Sequence, residues 1–163
     1  MYAAVVSTIS GNVTPRALLA GNFTSLTRLV GIFRREFAER IAQEDWAVTS
    51  GVRPPTYGVL SVVGHLGPMS QREVSDLIGL HASDLVEIVD LVEAQGWIER
   101  RRDPADRRRY QLTLTTSGRG ILARYDELAA QTEAAVLEPL SESERKRLMN
   151  LVSKVVATHL DPA

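Results

Sequence analysis

The sequence predicts a mainly α-helical protein carrying one small β-hairpin. Three observations lead there. Near both ends of the chain, apolar residues recur at three- and four-residue steps, the spacing of long amphipathic helices. Between those ends, short helical stretches are punctuated by Gly and Pro. One segment alone, from Trp97 to Leu114, changes to strand-like patterning, and it surrounds the string RRRDPADRRRY at Arg100–Tyr110.

Each element has its own signal. From Pro15 to Glu44, residues Leu18, Leu19, Phe23, Leu26, Val30, Phe33, Phe37 and Ile41 share one helical face. The following linker ends at Pro54-Pro55, where a second helix opens and runs from Thr56 to His65 until Gly67-Pro68 breaks it. Ser70-Gln71-Arg72-Glu73 has the capping-box spacing, in which Ser and Glu satisfy each other's backbone N–H groups, so a short third helix should reach Ile78. A fourth, Ala82 to Gln95, stops at Gly96, the residue type that most easily takes the left-handed cap conformation. WIERRR and YQLTL then flank DPADRR. Asp103 followed by Pro104 suits a type I turn at the hairpin tip. Tyr110, Leu112 and Leu114 alternate with polar neighbours, as a half-buried strand requires. Thr115 or Thr116 starts a long helix that ends before Pro139. A second capping box, Ser141 to Glu144, opens the last helix, with Leu148, Leu151, Val152, Val155 and Val156 on one face.

Two helices across a tight turn followed by a basic hairpin is the winged helix-turn-helix layout. The long terminal helices carry more apolar surface than so small a module can bury, which predicts a homodimer. Phe23, Leu26 and Val30 from the first helix, with Leu151 and Val155 from the last, would form its core. Residues 1–53 are then an N-terminal dimerisation helix and linker, 54–116 the winged domain, and 117–163 the C-terminal dimerisation helices.

Charge is sorted along a chain whose net charge is only -1. Residues 70–96 carry one basic side chain, Arg72, against six acidic ones, whereas residues 97–124 carry eight arginines against three acids. Cysteine is absent, which excludes disulfides and thiolate chemistry. Apolar runs fall short of the roughly 20 residues a membrane span needs. The brief N-terminal apolar run has no Lys or Arg before it, so no secretory signal and a cytoplasmic location are expected. No G-x-S-x-G, H-E-x-x-H or P-loop string appears, and His65, His81 and His159 form no paired metal motif. Neither an enzyme nor a cofactor or metal is expected.

Gly96-Trp97-Ile98-Glu99-Arg100, then Asp103-Pro104-x-Asp106-Arg107-Arg108, then Leu114-Thr115-x-x-Gly118 together resemble the MarR family of bacterial transcription regulators. The resemblance implies a homodimer on double-stranded DNA, with recognition helices in successive major grooves of a palindromic operator and wings in the flanking minor grooves. It also implies a repressor released by a small anionic or aromatic effector bound between winged and dimerisation domains. The wing set is Arg100, Arg102, Arg107, Arg108 and Arg109, residues whose permanent charge and five donors suit phosphates and narrow minor grooves. By the match, Arg108 enters the groove and Asp106 orients it through a carboxylate–guanidinium bond. Arg109 departs from the family, which usually has a small residue there. Asp90 matches an acid that in relatives pairs with a wing arginine.

The recognition helix departs further. HASDLVEIVDLVEAQ contains no Lys or Arg. Glu87 stands where relatives commonly carry arginine, and Val86 where threonine is common, while Leu85, Val89 and Val92 match buried positions. Ser83, Asp84 and Glu87 are the candidate contacts. A carboxylate about 4 Å from a phosphate costs about 1 kcal/mol in water and about 4 at an effective dielectric near 20. Glu87 therefore opposes binding unless it accepts from cytosine N4, the natural acidic contact in the major groove, or pairs with Arg72 or a wing arginine. Two functions remain open: a sequence-specific regulator, or a winged-helix dimer with weak or lost specific DNA binding whose acidic helix contacts a protein. Trp46, Arg53 and Tyr57 are the candidate effector pocket, against the plainer reading of Trp46 as core. Trp97 should anchor the hairpin to the helices.

Overall fold

A computed structural model describes residues 21–52 and 55–160. The first helix, α1 (Asn22–Ile41), covers the C-terminal part of the predicted 15–44 span, whose first residues lie outside those described. It ends at Ile41, the last residue of the apolar periodicity, short of the predicted Glu44. The chain turns at Ala42–Glu44 and forms a short helix, α2 (Asp45–Ser50), inside the predicted linker, closed by Gly51 in the left-handed region (φ 65°). Six residues are too few to display a helical period, so the sequence offered no sign of it.

The winged body follows the predicted order: α3 (Thr56–Leu66), α4 (Gln71–Ile78), α5 (Ala82–Ala94), β1 (Ile98–Arg102) and β2 (Tyr110–Leu114). At α4 both halves of the capping box form: Ser70 Oγ accepts from Glu73 N–H, and the Glu73 carboxylate accepts from Ser70 N–H at 2.7 Å. Gly96 (φ 70°) ends α5, turning the chain so that Trp97 N–H donates to Val92 O at 2.9 Å and β1 can begin. The strands pair antiparallel with Ile98 opposite Leu114, Arg100 opposite Leu112 and Arg102 opposite Tyr110. Met69 adds a third, one-residue strand beside Leu112, exchanging two backbone hydrogen bonds with it.

Alternation sorts the hairpin. Leu112 and Leu114 are buried, while Tyr110, expected on the same buried face, is exposed. The core gathers Val59, Leu60 and Val63 of α3, Val74 of α4, and Leu85, Ile88, Val89 and Val92 of α5. Trp97 and Ile98 join it, which ties the hairpin to the helices as the sequence reading required. Each such burial contributes about 1.5–3 kcal/mol relative to exposure.

The next helix, α6 (Thr116–Val136), is capped by Thr115, whose hydroxyl accepts from Gly118 N–H at 2.9 Å. A Cβ at Gly118 would lie 1.9 Å from the Trp97 carbonyl oxygen, so only glycine lets α6 start against β1. Through Leu122 and Tyr125 this helix closes the core, and α1 packs along it, with the Phe37 ring 6.3 Å from that of Tyr125. The last helix, α7 (Glu142–Leu160), opens on the second predicted capping box, in which the Glu144 carboxylate accepts from Ser141 N–H at 2.8 Å. Its apolar stripe is uncovered within one chain: Leu151 is 56% exposed and Val155 60%. The start of α1 is equally bare, with Phe23 83% and Leu26 63% exposed. Among the described residues no helix is long and apolar enough to cross a membrane.

Candidate nucleic-acid interface

The six arginines of the hairpin divide into two groups. Arg100 turns inward. Its guanidinium pairs with both Asp90 and Glu93 of α5, and its side chain is 25% exposed. Arg101 pairs with Glu99 at 2.5 Å. Arg102 lies 5.1 Å from the centre of the Tyr110 ring, within cation–π range, and its Nη1 donates to the Arg107 carbonyl oxygen at 2.5 Å. These three set the shape of the hairpin.

Arg107, Arg108 and Arg109 are exposed at the tip, and no ion pair engages them among the described residues. Two aspartates fold the loop that holds them. Asp103 accepts from Ala105 N–H at 2.8 Å, and Asp106 from Arg108 N–H at 3.0 Å, each a side chain mimicking a backbone turn. The hydrogen-bonded turn runs from Asp106 to Arg109 (2.9 Å) rather than starting at Asp103.

Two expectations therefore change. Arg100, grouped with the wing contacts, is engaged by the acids of α5, since burial makes a charge seek opposite charge. Asp106 accepts from the Arg108 backbone N–H, and no carboxylate–guanidinium pair joins them. Asp90 does meet a wing arginine. Glu93 joins it, one helical turn away, a partner the sequence reading had not singled out although the three-residue spacing places it on the same face.

On α5, Leu85, Ile88, Val89 and Val92 face the core, leaving Ser83, Val86, Glu87 and Asp90 along the outward stripe. Asp84 sits in the first turn, where a negative charge complements the helix dipole. Arg72 faces Asp76 at 3.9 Å on its own helix.

The suggested effector residues part company. Trp46 packs edge-on against Tyr125, ring centroids 4.8 Å apart, donates from Nε1 to Glu44 at 2.8 Å, and lies under Arg124. It is an aromatic core residue. Arg53 lies outside the described residues. Tyr57 borders a cavity of about 220 Å³ between α1, α3 and α6, together with Phe33, Arg34 and Phe37. Its hydroxyl donates to Asp126 at 3.1 Å, and burial, with that carboxylate, raises its pKa above the ordinary tyrosine value. A second cavity of about 500 Å³ continues toward Ile41, Ile78 and Leu80, and Arg34 and Phe37 border both. Nothing in the residues around Arg34 distinguishes it from any solvated helix arginine. For a metal, no group of three or more His, Asp or Glu side chains converges among the described residues.

Comparison with known proteins agrees with this geometry. Residues 50–109 match the model of the MarR family. Over 121 residues the chain is 32% identical to a putative transcriptional regulatory protein for the hcr operon of Thauera aromatica, covering 74% of this chain and 70% of that one. The transcriptional repressor CouR bound to a 23-mer DNA duplex superposes with a TM-score of 0.73 at 25% identity, over 89% of this chain and 99% of that one. The PcaV regulator of Streptomyces coelicolor in complex with its natural ligand gives 0.66 at 25%, over 86% and 94%. The chain belongs to the MarR family and is a DNA-binding winged-helix transcription regulator, not an enzyme.

Proposed function

We propose that the protein is a homodimeric repressor of palindromic operators, released by a small aromatic anion. The observation that carries this reading is the division of the arginines: three shape the hairpin, and three stand exposed at its tip, where no ion pair engages them among the described residues. Arg108 then enters the minor groove, Arg107 and Arg109 meet phosphates, and α5 lies in the major groove. The bare stripes of α1 and α7 support pairing of two chains through Phe23, Leu26, Val30, Leu151 and Val155, with the winged domain 54–116 held between the two dimerisation segments. Two such subunits require half-sites about 34–36 Å apart. Arg34, at the rim shared by two apolar cavities, supports an effector with an aromatic body and a carboxylate.

The rival reading, α5 as an acidic protein-binding surface, is weakened by the engagement of Asp90 and Glu93 with Arg100. Selection of duplexes from a random pool, with affinity followed against salt, tests the proposal. A palindrome bound tightly by the wild type, and lost with Arg108→Ala while the dimer stays folded, is the expected result. Undiminished affinity in that variant would defeat the wing assignment.

A further inference from the structure

We infer that Val86 reads a thymine methyl group, making it a determinant of operator sequence; this rests on the DNA-bound arrangement proposed above. The exposed side chains of α5 are Ala82, Ser83, Asp84, Val86, Glu87, Asp90 and Ala94. Asp90 is held by Arg100. Ser83 lies in the first turn, where a hydroxyl meets phosphates and bases alike. Glu87 is a carboxylate, whose natural base-edge partner is the cytosine amino group and not a methyl. Val86 is the one large apolar side chain exposed on α5, at 45%, in the N-terminal half of the helix.

In the major groove the thymine C5-methyl is the only apolar group a base pair presents. Placed over a cytosine amino group or a guanine oxygen, the valine would strip water from a polar edge and return no hydrogen bond. Over the thymine methyl it buries apolar surface on both partners. A β-branched side chain is also stiff at χ1, so its two methyl groups hold one position and can discriminate by shape. The helix carries no Lys or Arg to make the bidentate guanine contact that dominates most recognition helices. Readout by α5 therefore leans on shape, and Val86 supplies it.

The test replaces thymine by deoxyuridine, one position at a time, in the operator recovered by selection with the full-length protein. This exchange deletes the methyl group and leaves every hydrogen-bonding edge unchanged. One dyad-related position should lose about fourfold per half-site, the effect of leaving one methylene-sized group unburied, and about sixteenfold when both half-sites are changed. Val86→Ala, at an exposed position where folding is easily confirmed by thermal melting, should bind the thymine and deoxyuridine operators alike. A recovered palindrome with no deoxyuridine-sensitive position, or with the same sensitivity in Val86→Ala, overturns the contact and leaves the proposed function standing. Failure to recover any preferred sequence overturns both.

Discussion

Replacing Arg100 by Gln should separate two roles that its sequence position cannot. The arginine joins β1 to α5 through Asp90 and Glu93, so its loss unties the wing from the recognition helix. Asp90 is 60% exposed, and its pair belongs with surface ion pairs worth about 0.2–1 kcal/mol. Glu93 is 36% exposed and also accepts the Arg100 backbone N–H at 3.3 Å, which places its bond nearer the roughly 1.5 kcal/mol of a charged hydrogen bond. Together the substitution costs about 2 kcal/mol. For a protein of this size that lowers Tm by about 4–8 °C. Were Arg100 instead a phosphate contact, stability would hardly change. The slope of log affinity against log salt would then fall by about 0.9 per contact, or about 1.8 per dimer. Thermal unfolding and fluorescence-anisotropy titrations at several salt concentrations distinguish these outcomes. The expected result is a lowered Tm, weaker binding and an unchanged salt slope. An unchanged Tm with a reduced slope would refute the clamp. A double-mutant cycle with Glu93→Gln should show a coupling of about 1 kcal/mol, since the two groups act as one unit.

Other parts of the molecule give further expectations. The Tyr125 hydroxyl is buried without a hydrogen-bond partner among the described residues, and an orphaned hydroxyl costs about 1–3 kcal/mol. Tyr125→Phe should therefore raise Tm by a few degrees; a fall would refute this. At Glu73, the Ser70 hydroxyl and backbone N–H hold the carboxyl below its usual range. A group with a depressed folded pKa contributes stability above its unfolded value, near 4.3, and loses it as pH falls through the folded pKa. The Tm advantage of wild type over Glu73→Gln should thus be full at about pH 6 and shrink toward about pH 3; a constant difference would contradict the capping account. At the two cavities bordered by Arg34, the proposed effector site, benzoate but not benzamide should weaken operator binding, and Arg34→Ala should raise the benzoate concentration required by about tenfold, as loss of a charged hydrogen bond implies. Equal effects of the two probes would exclude a carboxylate contact.

Local devices were legible in the sequence, and long-range pairings were not. Both capping boxes, the Gly96 helix stop and the buried face of α5 depend on residues within one or two turns of each other, and all formed as read. The short helix α2 escaped notice because Asp45–Ser50 spans fewer than two turns. Met69 pairs with Leu112 across 43 positions, and no local pattern records such a bridge. Within the arginine run, identical side chains meet different fates. Strand register turns Arg100 toward Asp90 and Glu93, whereas Arg107, Arg108 and Arg109 lie in a loop whose aspartates bind backbone instead. Sequence could assign charge to the hairpin, but only the fold could divide it.

That division bears on how a near-neutral chain would select one site among many. Asp90 and Glu93 lie one turn apart on α5 and would repel each other without the Arg100 guanidinium between them. The acids of the recognition helix thereby fix the wing, and in the proposed complex they take no part in gripping the backbone. Attraction to phosphate then rests on the tip arginines, while α5 offers DNA no cation. A lysine or arginine on that helix would strengthen binding to every duplex alike, because backbone charge carries no sequence. Specificity is a ratio against a vast excess of competing sites. Withholding charge from the reading helix lowers the nonspecific side of that ratio, and contacts such as that of Val86 raise the specific side. On this argument the acidic helix is compatible with sequence-specific regulation, and Glu87→Arg should increase affinity for random duplex more than for the operator.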